Sequence, residues 1–438
     1  MNRISALPGP PAPEPNPSTG SDRPFLLIFS NDPSYSAGER LAWVLFLFTS
    51  FQLTFNWPHL QLIAGERTRL FSGLLCGLSL LSLFLVRRRD KTTGIEVIIC
   101  LVLTGLGLTG TLFSATPLTS FLRTATLLLS GLGGFWCSRI LLGDPVRQRA
   151  FINLGGILLV SLLVLQFGLL IRAWPSGLDP ITKHPLAGLI YLLFFAPLNL
   201  ILTHRKGTAL PAWAMMGLSW MLFIMMLLKT AVLMPFVLAL TALARKHLRP
   251  VYLLLLIPAA AGLVIVAPFF YSQSRIDQDM ESIFYRAESY PFSWHIIRQN
   301  PLWGNGLWAP RQKYLDDYTA KFKAMGNGVF DKYVHKIRVS ENLVLTFSAD
   351  LGLPFTLLYC LSVGFILVRL FRSGGAARPP GLIHPLALIL PLTAWMVHSM
   401  IFDSLLHPQI CWFAHILLGL ADRTASGRVD SSPGEIRS

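Results

Sequence analysis

Five ionisable residues stand where long apolar runs give way to polar chain: Arg172, Lys229, Arg286, Arg298 and Glu341. Four of them are cations. Converging on one face they would form a site for a bulky anion such as a diphosphate, because guanidinium forks match phosphate oxygens two at a time. Taken singly, Arg172 and Lys229 also fit the role of snorkelling anchors, with the stem in lipid and the charged head in water. Glu341 follows Ser340, a candidate N-cap, at the start of an apolar run. It is either a first-turn acid held by the helix dipole or a general base at the membrane surface.

Around these residues lie five aromatics, Tyr285, Tyr290, Trp294, Trp303 and Trp308. Their rings would stack on sugars, or else make the small core of a loop subdomain or an interfacial belt. Asp277-Gln278-Asp279 has the spacing that nucleotide-sugar enzymes use to hold a metal, but three-residue patterns are common, and we read it as a solvated acidic stretch. No metal or other cofactor is expected. Asp350 and Arg123 fall inside apolar runs, where a charge marks a polar cavity or a structural pair. The five cysteines, Cys76, Cys100, Cys137, Cys360 and Cys411, sit in apolar runs without metal-ligand spacing and read as packed thiols.

The elements that must position these groups are membrane spans. Of 438 residues, 53% are hydrophobic and 13% charged, a balance that excludes an ordinary soluble domain. Apolar runs recur at about the 20 residues needed to cross a hydrocarbon core. They cover 41–57, 68–86, 94–114, 118–142, 151–171, 185–203, 208–228, 231–244, 251–270, 342–368, 382–403 and 406–421. The expected fold is an all-α polytopic membrane protein of about twelve helices, with one large loop between helices 9 and 10.

Alternate joints hold the basic residues: Arg87 to Lys91, Arg147 and Arg149, Arg205 and Lys206, Arg245 to Arg249, Arg369 to Arg378, then Arg423 and Arg428. The net charge of +15 is therefore a topology signal rather than a nucleic-acid site, and no nucleic-acid partner is expected. The positive-inside rule puts both termini in the cytoplasm and the loop outside, in the periplasm of a bacterium. The organisation predicted is a disordered cytoplasmic tail over 1–38, helices 1–9 over 39–270, a periplasmic loop subdomain over 271–341, helices 10–12 over 342–421, and a cytoplasmic tail over 422–438.

Two linked stretches resemble the bacterial O-antigen ligase/polymerase superfamily. Arg286-Ala-Glu-Ser-Tyr290, followed by Pro301-Leu-Trp-Gly304-Asn-Gly306, is similar to that family's outer-loop signature. Glu341-Asn342-Leu343-Val344-Leu345, followed by Asp350-Leu351-Gly352-Leu353, resembles its second stretch, with Glu341 where ligases have His. The resemblance implies a fold like that of the integral-membrane (GT-C) glycosyltransferases and metal-independent, inverting glycosyl transfer. The donor it implies is a glycan on undecaprenyl diphosphate, used at the periplasmic face of the inner membrane.

Carried over by motif, Arg286 would hold the diphosphate, with Arg172, Lys229 and Arg298 beside it. Lys229 stands where many members have Arg and supplies a point charge without a fork. Glu341 would take the acceptor proton. Asn342 would hold the helix start or a sugar hydroxyl, and Trp294, Trp303 and Tyr290 would face the sugars. Implied partners are the lipid-linked glycan, membrane lipid, a chain-length regulator and a flippase. The exchange of His for Glu341 favours a polymerase of repeat units for O-antigen or exopolysaccharide. The alternatives are a ligase to lipid A-core, an O-linked protein glycosyltransferase and, from another class, a lipid-linked oligosaccharide flippase or transporter.

Overall fold

The computed structural model describes residues 35–55, 66–86, 94–172, 180–203, 210–226, 237, 289–307, 314, 316–318, 320, 342–373, 383–400 and 404–426. Among these the regular elements are helical throughout, as an apolar chain requires when its backbone groups must find partners within their own segment. We number the helices α1 Ala37–Phe55, α2 Glu66–Ser82, α3 Gly94–Leu112, α4 Pro117–Leu141, α5 Pro145–Arg172, α6 Pro180–Leu193, α7 Phe195–Thr203 and α8 Leu210–Met225. The series continues with α9 over 289–299, α10 Leu343–Asp350, α11 Leu353–Ser373, α12 Pro385–Ser399 and α13 Pro408–Ala425. Among the described residues five stretches are long and apolar enough to cross a membrane: Thr68–Leu85, Gly94–Leu112, Pro145–Ile171, Pro185–Thr203 and Leu353–Ser373. The apolar runs expected over 231–244 and 251–270 lie outside the described residues, apart from Val237.

Three local signals moved boundaries. Helix α1 begins at Ala37, inside the expected tail, because Ser36 and Glu39 form a reciprocal capping box. The Ser36 N–H donates to Glu39 Oε2 at 2.9 Å and the Glu39 N–H to Ser36 Oγ at 3.2 Å. The sixth apolar run is divided at Phe194, because Pro197 has no N–H to give the Leu193 carbonyl one turn back. The tenth run, expected as one span over 342–368, is two helices that meet at Leu351 and Gly352.

Helix α13 is the axis of the bundle, with nearly every residue from Pro408 to Arg423 buried. It lies against α4 along small residues. A Cβ on Gly134 would strike the Trp412 carbonyl, and one on Gly419 would strike Ser138 Oγ and the Phe135 carbonyl. Such close backbone approach is how apolar helices gain contact where lipid offers no hydrophobic contrast. Polar side chains tie the packing together: Trp412 Nε1 donates to Ser50 Oγ at 3.0 Å, and Thr49 and Ser79 hydroxyls meet at 2.8 Å. All five cysteines are free thiols; Cys76, Cys137 and Cys411 are buried, while Cys360 is exposed.

The two ends of the bundle differ. At one end, the basic end, Arg139 of α4 pairs with Glu96 of α3 and with Asp422 of α13, the latter at 2.8 Å. Arg369 of α11 reaches the other oxygen of Asp422 at 3.0 Å, and Arg423 donates to the Arg139 carbonyl at 2.9 Å. At the opposite end, the loop end, residues 300–307 settle on α3, α4, α10 and α11.

Candidate functional site

The loop end is assembled by backbone hydrogen bonds between the two stretches singled out in the sequence. Helix α10 ends with carbonyls that its own turn cannot satisfy. The Asn305 N–H donates to the Ala349 carbonyl at 3.0 Å and the Gly306 N–H to the Asp350 carbonyl at 2.9 Å. In return the Leu353 N–H, at the start of α11, donates to the Pro301 carbonyl at 2.8 Å. The approach is so close that only glycine fits at the contact. Gly352 has φ +89°, and a Cβ there would overlap the Leu302 carbonyl; Gly304 has φ +70°, and a Cβ there would overlap the Asp350 carbonyl.

Asn305 is the buried centre of this junction. Its Nδ2 donates to the Ala349 carbonyl at 3.0 Å, and its Oδ1 accepts from Tyr314 Oη at 2.8 Å and Asn300 Nδ2 at 3.3 Å. The sequence reading passed over it. Its signal was present, since Asn305 sits between the two glycines of the motif. The turn also rests on the bundle below: Ser120 Oγ donates to the Leu307 carbonyl at 3.4 Å, and the Trp303 ring stacks on Phe113 at 6.2 Å.

The N-terminal end of α10 is fixed by Asn342. Its Oδ1 accepts from the Val344 and Leu345 N–H groups at 3.0 and 3.2 Å, and its Nδ2 donates to the Met400 carbonyl at 3.0 Å, just past α12. Of the two roles foreseen for Asn342, holding the helix start is the one these contacts fill. The N-cap of α10 is therefore Asn342, where the sequence had offered Ser340.

Helix α9 presents two faces. Phe292, Ile296 and Ile297 are buried and pack with Tyr318 and Ala349 in a small core that includes neither Trp294 nor Trp303. On the opposite stripe, at successive four-residue steps, Tyr290, Trp294 and Arg298 are exposed, with the Arg298 guanidinium 5.4 Å from the Trp294 ring centre. Three of the expected site residues thus share one free face. Trp303 is not with them; it is partly buried against Phe113, its carbonyl beneath Gly110.

Asp350 is fully buried at the helix break. Arg123 lines a small cleft with Arg69, Thr126, Leu307, Leu406 and Pro408. Arg286, Lys229, Glu341, Trp308, Tyr285, Asp277 and Asp279 lie outside the described residues, as does the side chain of Arg172, which ends α5. The cluster of Glu96, Arg139, Arg369 and Asp422 was not foreseen. Its only sequence signal was two acids, Glu96 and Asp422, at span ends otherwise rich in bases. Compared with known family models and with curated proteins, the chain matches none.

Proposed function

We propose that this chain is an integral-membrane glycosyltransferase that joins undecaprenyl-diphosphate-linked repeat units into polysaccharide at the outer face of a bacterial inner membrane. One observation carries the reading: the two stretches that resemble the O-antigen ligase/polymerase superfamily are bonded to each other, through Asn305 and Gly306 on Ala349 and Asp350. The Tyr290–Trp294–Arg298 stripe of α9, which runs into that junction, is exposed. In this reading the chain crosses the bilayer twelve times, with both termini cytoplasmic and the loop end periplasmic.

The chemistry proposed needs neither nucleotide nor metal. An acceptor hydroxyl oxygen bonds to the anomeric carbon of the donor while the bond from that carbon to the diphosphate oxygen breaks. Glu341 takes the hydroxyl proton. Undecaprenyl diphosphate leaves, and Arg286, with Arg172, Lys229 and Arg298, neutralises the charge that grows on it. Tyr290 and Trp294 offer ring faces to sugars, with Arg298 held over Trp294.

The alternative from another class is a lipid-linked oligosaccharide flippase or transporter. One experiment separates the two. Purified protein in nanodiscs receives lipid-linked repeat units in the presence of a chelator, and products are resolved by size. A ladder of multiples is expected for the wild type and none for Arg286→Ala or Glu341→Gln. Product only with added lipid A-core or a protein acceptor reassigns the chain as a ligase or protein transferase. Scrambling of lipid-linked sugar without transfer overturns the enzyme reading.

A further inference from the structure

A cavity lies away from the loop end. It has a volume of about 360 Å³ and lies between α3, α4, α11 and α13, walled almost wholly by apolar side chains. Along α11 its lining runs from Phe355 to Arg369, a rise of roughly 20 Å at about 1.5 Å per residue. It is therefore long and narrow. Ile95 and Phe365 line it yet are 69% and 61% exposed, so it opens sideways to lipid between α3 and α11.

Its polarity is one-sided. The walls toward the loop end are Phe347, Phe355 and Leu405, whereas the walls at the basic end are Glu96, Arg369 and Asp422. Both carboxylates there are engaged by Arg139 and Arg369. Arg423 donates instead to the Arg139 and Gly143 carbonyls, and Arg372 follows one turn beyond Arg369 and is exposed. Arg139 and Arg369 balance the two carboxylates, and Arg372 adds a positive charge at the mouth. The Arg369 side chain remains 33% exposed and spends only part of its five-donor fork on Asp422 and Ser426.

We infer that this cavity binds one hydrocarbon chain of an anionic phospholipid drawn from the leaflet at the basic end, with its phosphate on Arg369 and Arg372. A lipid lying this way has its head at the end of the bundle opposite the loop, so the site is separate from any donor site there. The inference goes beyond the sugar-transfer reading and stands without it.

The test uses the full chain. Native mass spectrometry after extraction from nanodiscs of phosphatidylglycerol is expected to show one retained lipid, and extraction from phosphatidylcholine none, a preference of at least about tenfold, or about 1.4 kcal/mol. Equal retention of the two lipids overturns the assignment of the head. Phosphatidylglycerol carrying a photoreactive acyl chain is expected to label α3, α4, α11 or α13 in the wild type, and labelling confined to other helices overturns the site. Ser362→Trp, which fills the cavity, is expected to abolish both signals, and an unchanged lipid count in folded Ser362→Trp protein also overturns it. Displacement by undecaprenyl diphosphate would reassign the cavity to the donor tail and overturn the proposal.

Discussion

Asn305 grips Ala349 twice, its backbone N–H and its side-chain amide both donating to the same carbonyl at 3.0 Å across 44 residues of chain. This contact ties residues 300–307 to the bundle, because it caps α10 where that helix stops. Those residues, the break in the tenth apolar run and the start of α11 are consequently one structural unit.

Replacing Asn305 by Ala removes the second of those bonds and strips the Tyr314 hydroxyl of its acceptor. Leaving buried polar groups without partners costs about 1–3 kcal/mol. The expected outcome is a lower melting temperature in detergent and faster proteolysis within 271–341. Wild-type melting and proteolysis in this variant would show that the junction is held elsewhere.

Gly352→Ala meets two obstacles. The left-handed conformation costs an L-residue about 1–2 kcal/mol, and the new methyl must displace the Leu302 carbonyl. The loss is expected to exceed that of Gly364→Ala on α11, where a Cβ meets nothing within 4 Å and helix propensity improves. Denaturation of the two variants side by side checks the order.

Asn342 distinguishes capping from bridging. Asn342→Asp keeps an acceptor for the Val344 and Leu345 N–H groups but loses the donor to Met400, whereas Asn342→Ala loses both. The alanine variant is expected to cost about 1 kcal/mol as a lost cap, with the aspartate variant between it and the wild type. Equal melting of the two variants would locate the effect in the Met400 bond instead.

Trp294→Ala and Arg298→Ala remove exposed side chains that touch each other and little of the core. Stability is expected to stay within about 0.5 kcal/mol of wild type, while transfer of lipid-linked sugar falls in both. Activity equal to wild type in either variant would reduce the stripe to a solvated helix face.

Asp422→Asn leaves Arg139 with one fewer anion in a buried cluster. Breaking such a pair costs about 3–5 kcal/mol, so the variant is expected to be poorly folded. Removing charge on both sides together, with Asp422→Asn and Arg139→Met, is expected to recover part of the loss, measured by the monodisperse fraction after purification.

Local chemistry decided much of this protein in advance. Runs of apolar residues about twenty long must be helices in lipid, since no other single segment satisfies its own backbone there, and α1 to α5 begin and end within about six residues of where hydropathy puts them. The motif glycines were legible as well, because a P-L-W-G-N-G turn announces backbone that only glycine can follow. What hydropathy missed were events inside a run: Pro197 and Gly352 divide segments that remain apolar on both sides.

Partner choice was decided only by the tertiary structure. Nothing local to Asn305 specifies the Ala349 carbonyl, nothing local to Asp422 specifies Arg139 and Arg369, and nothing in the spacing of Trp303 separates it from Trp294. A hydrogen bond or ion pair depends on which groups packing brings within about 3 Å, and packing joins residues hundreds of positions apart. Periodicity sorts side chains into faces of one helix, but only the bundle determines what each face meets.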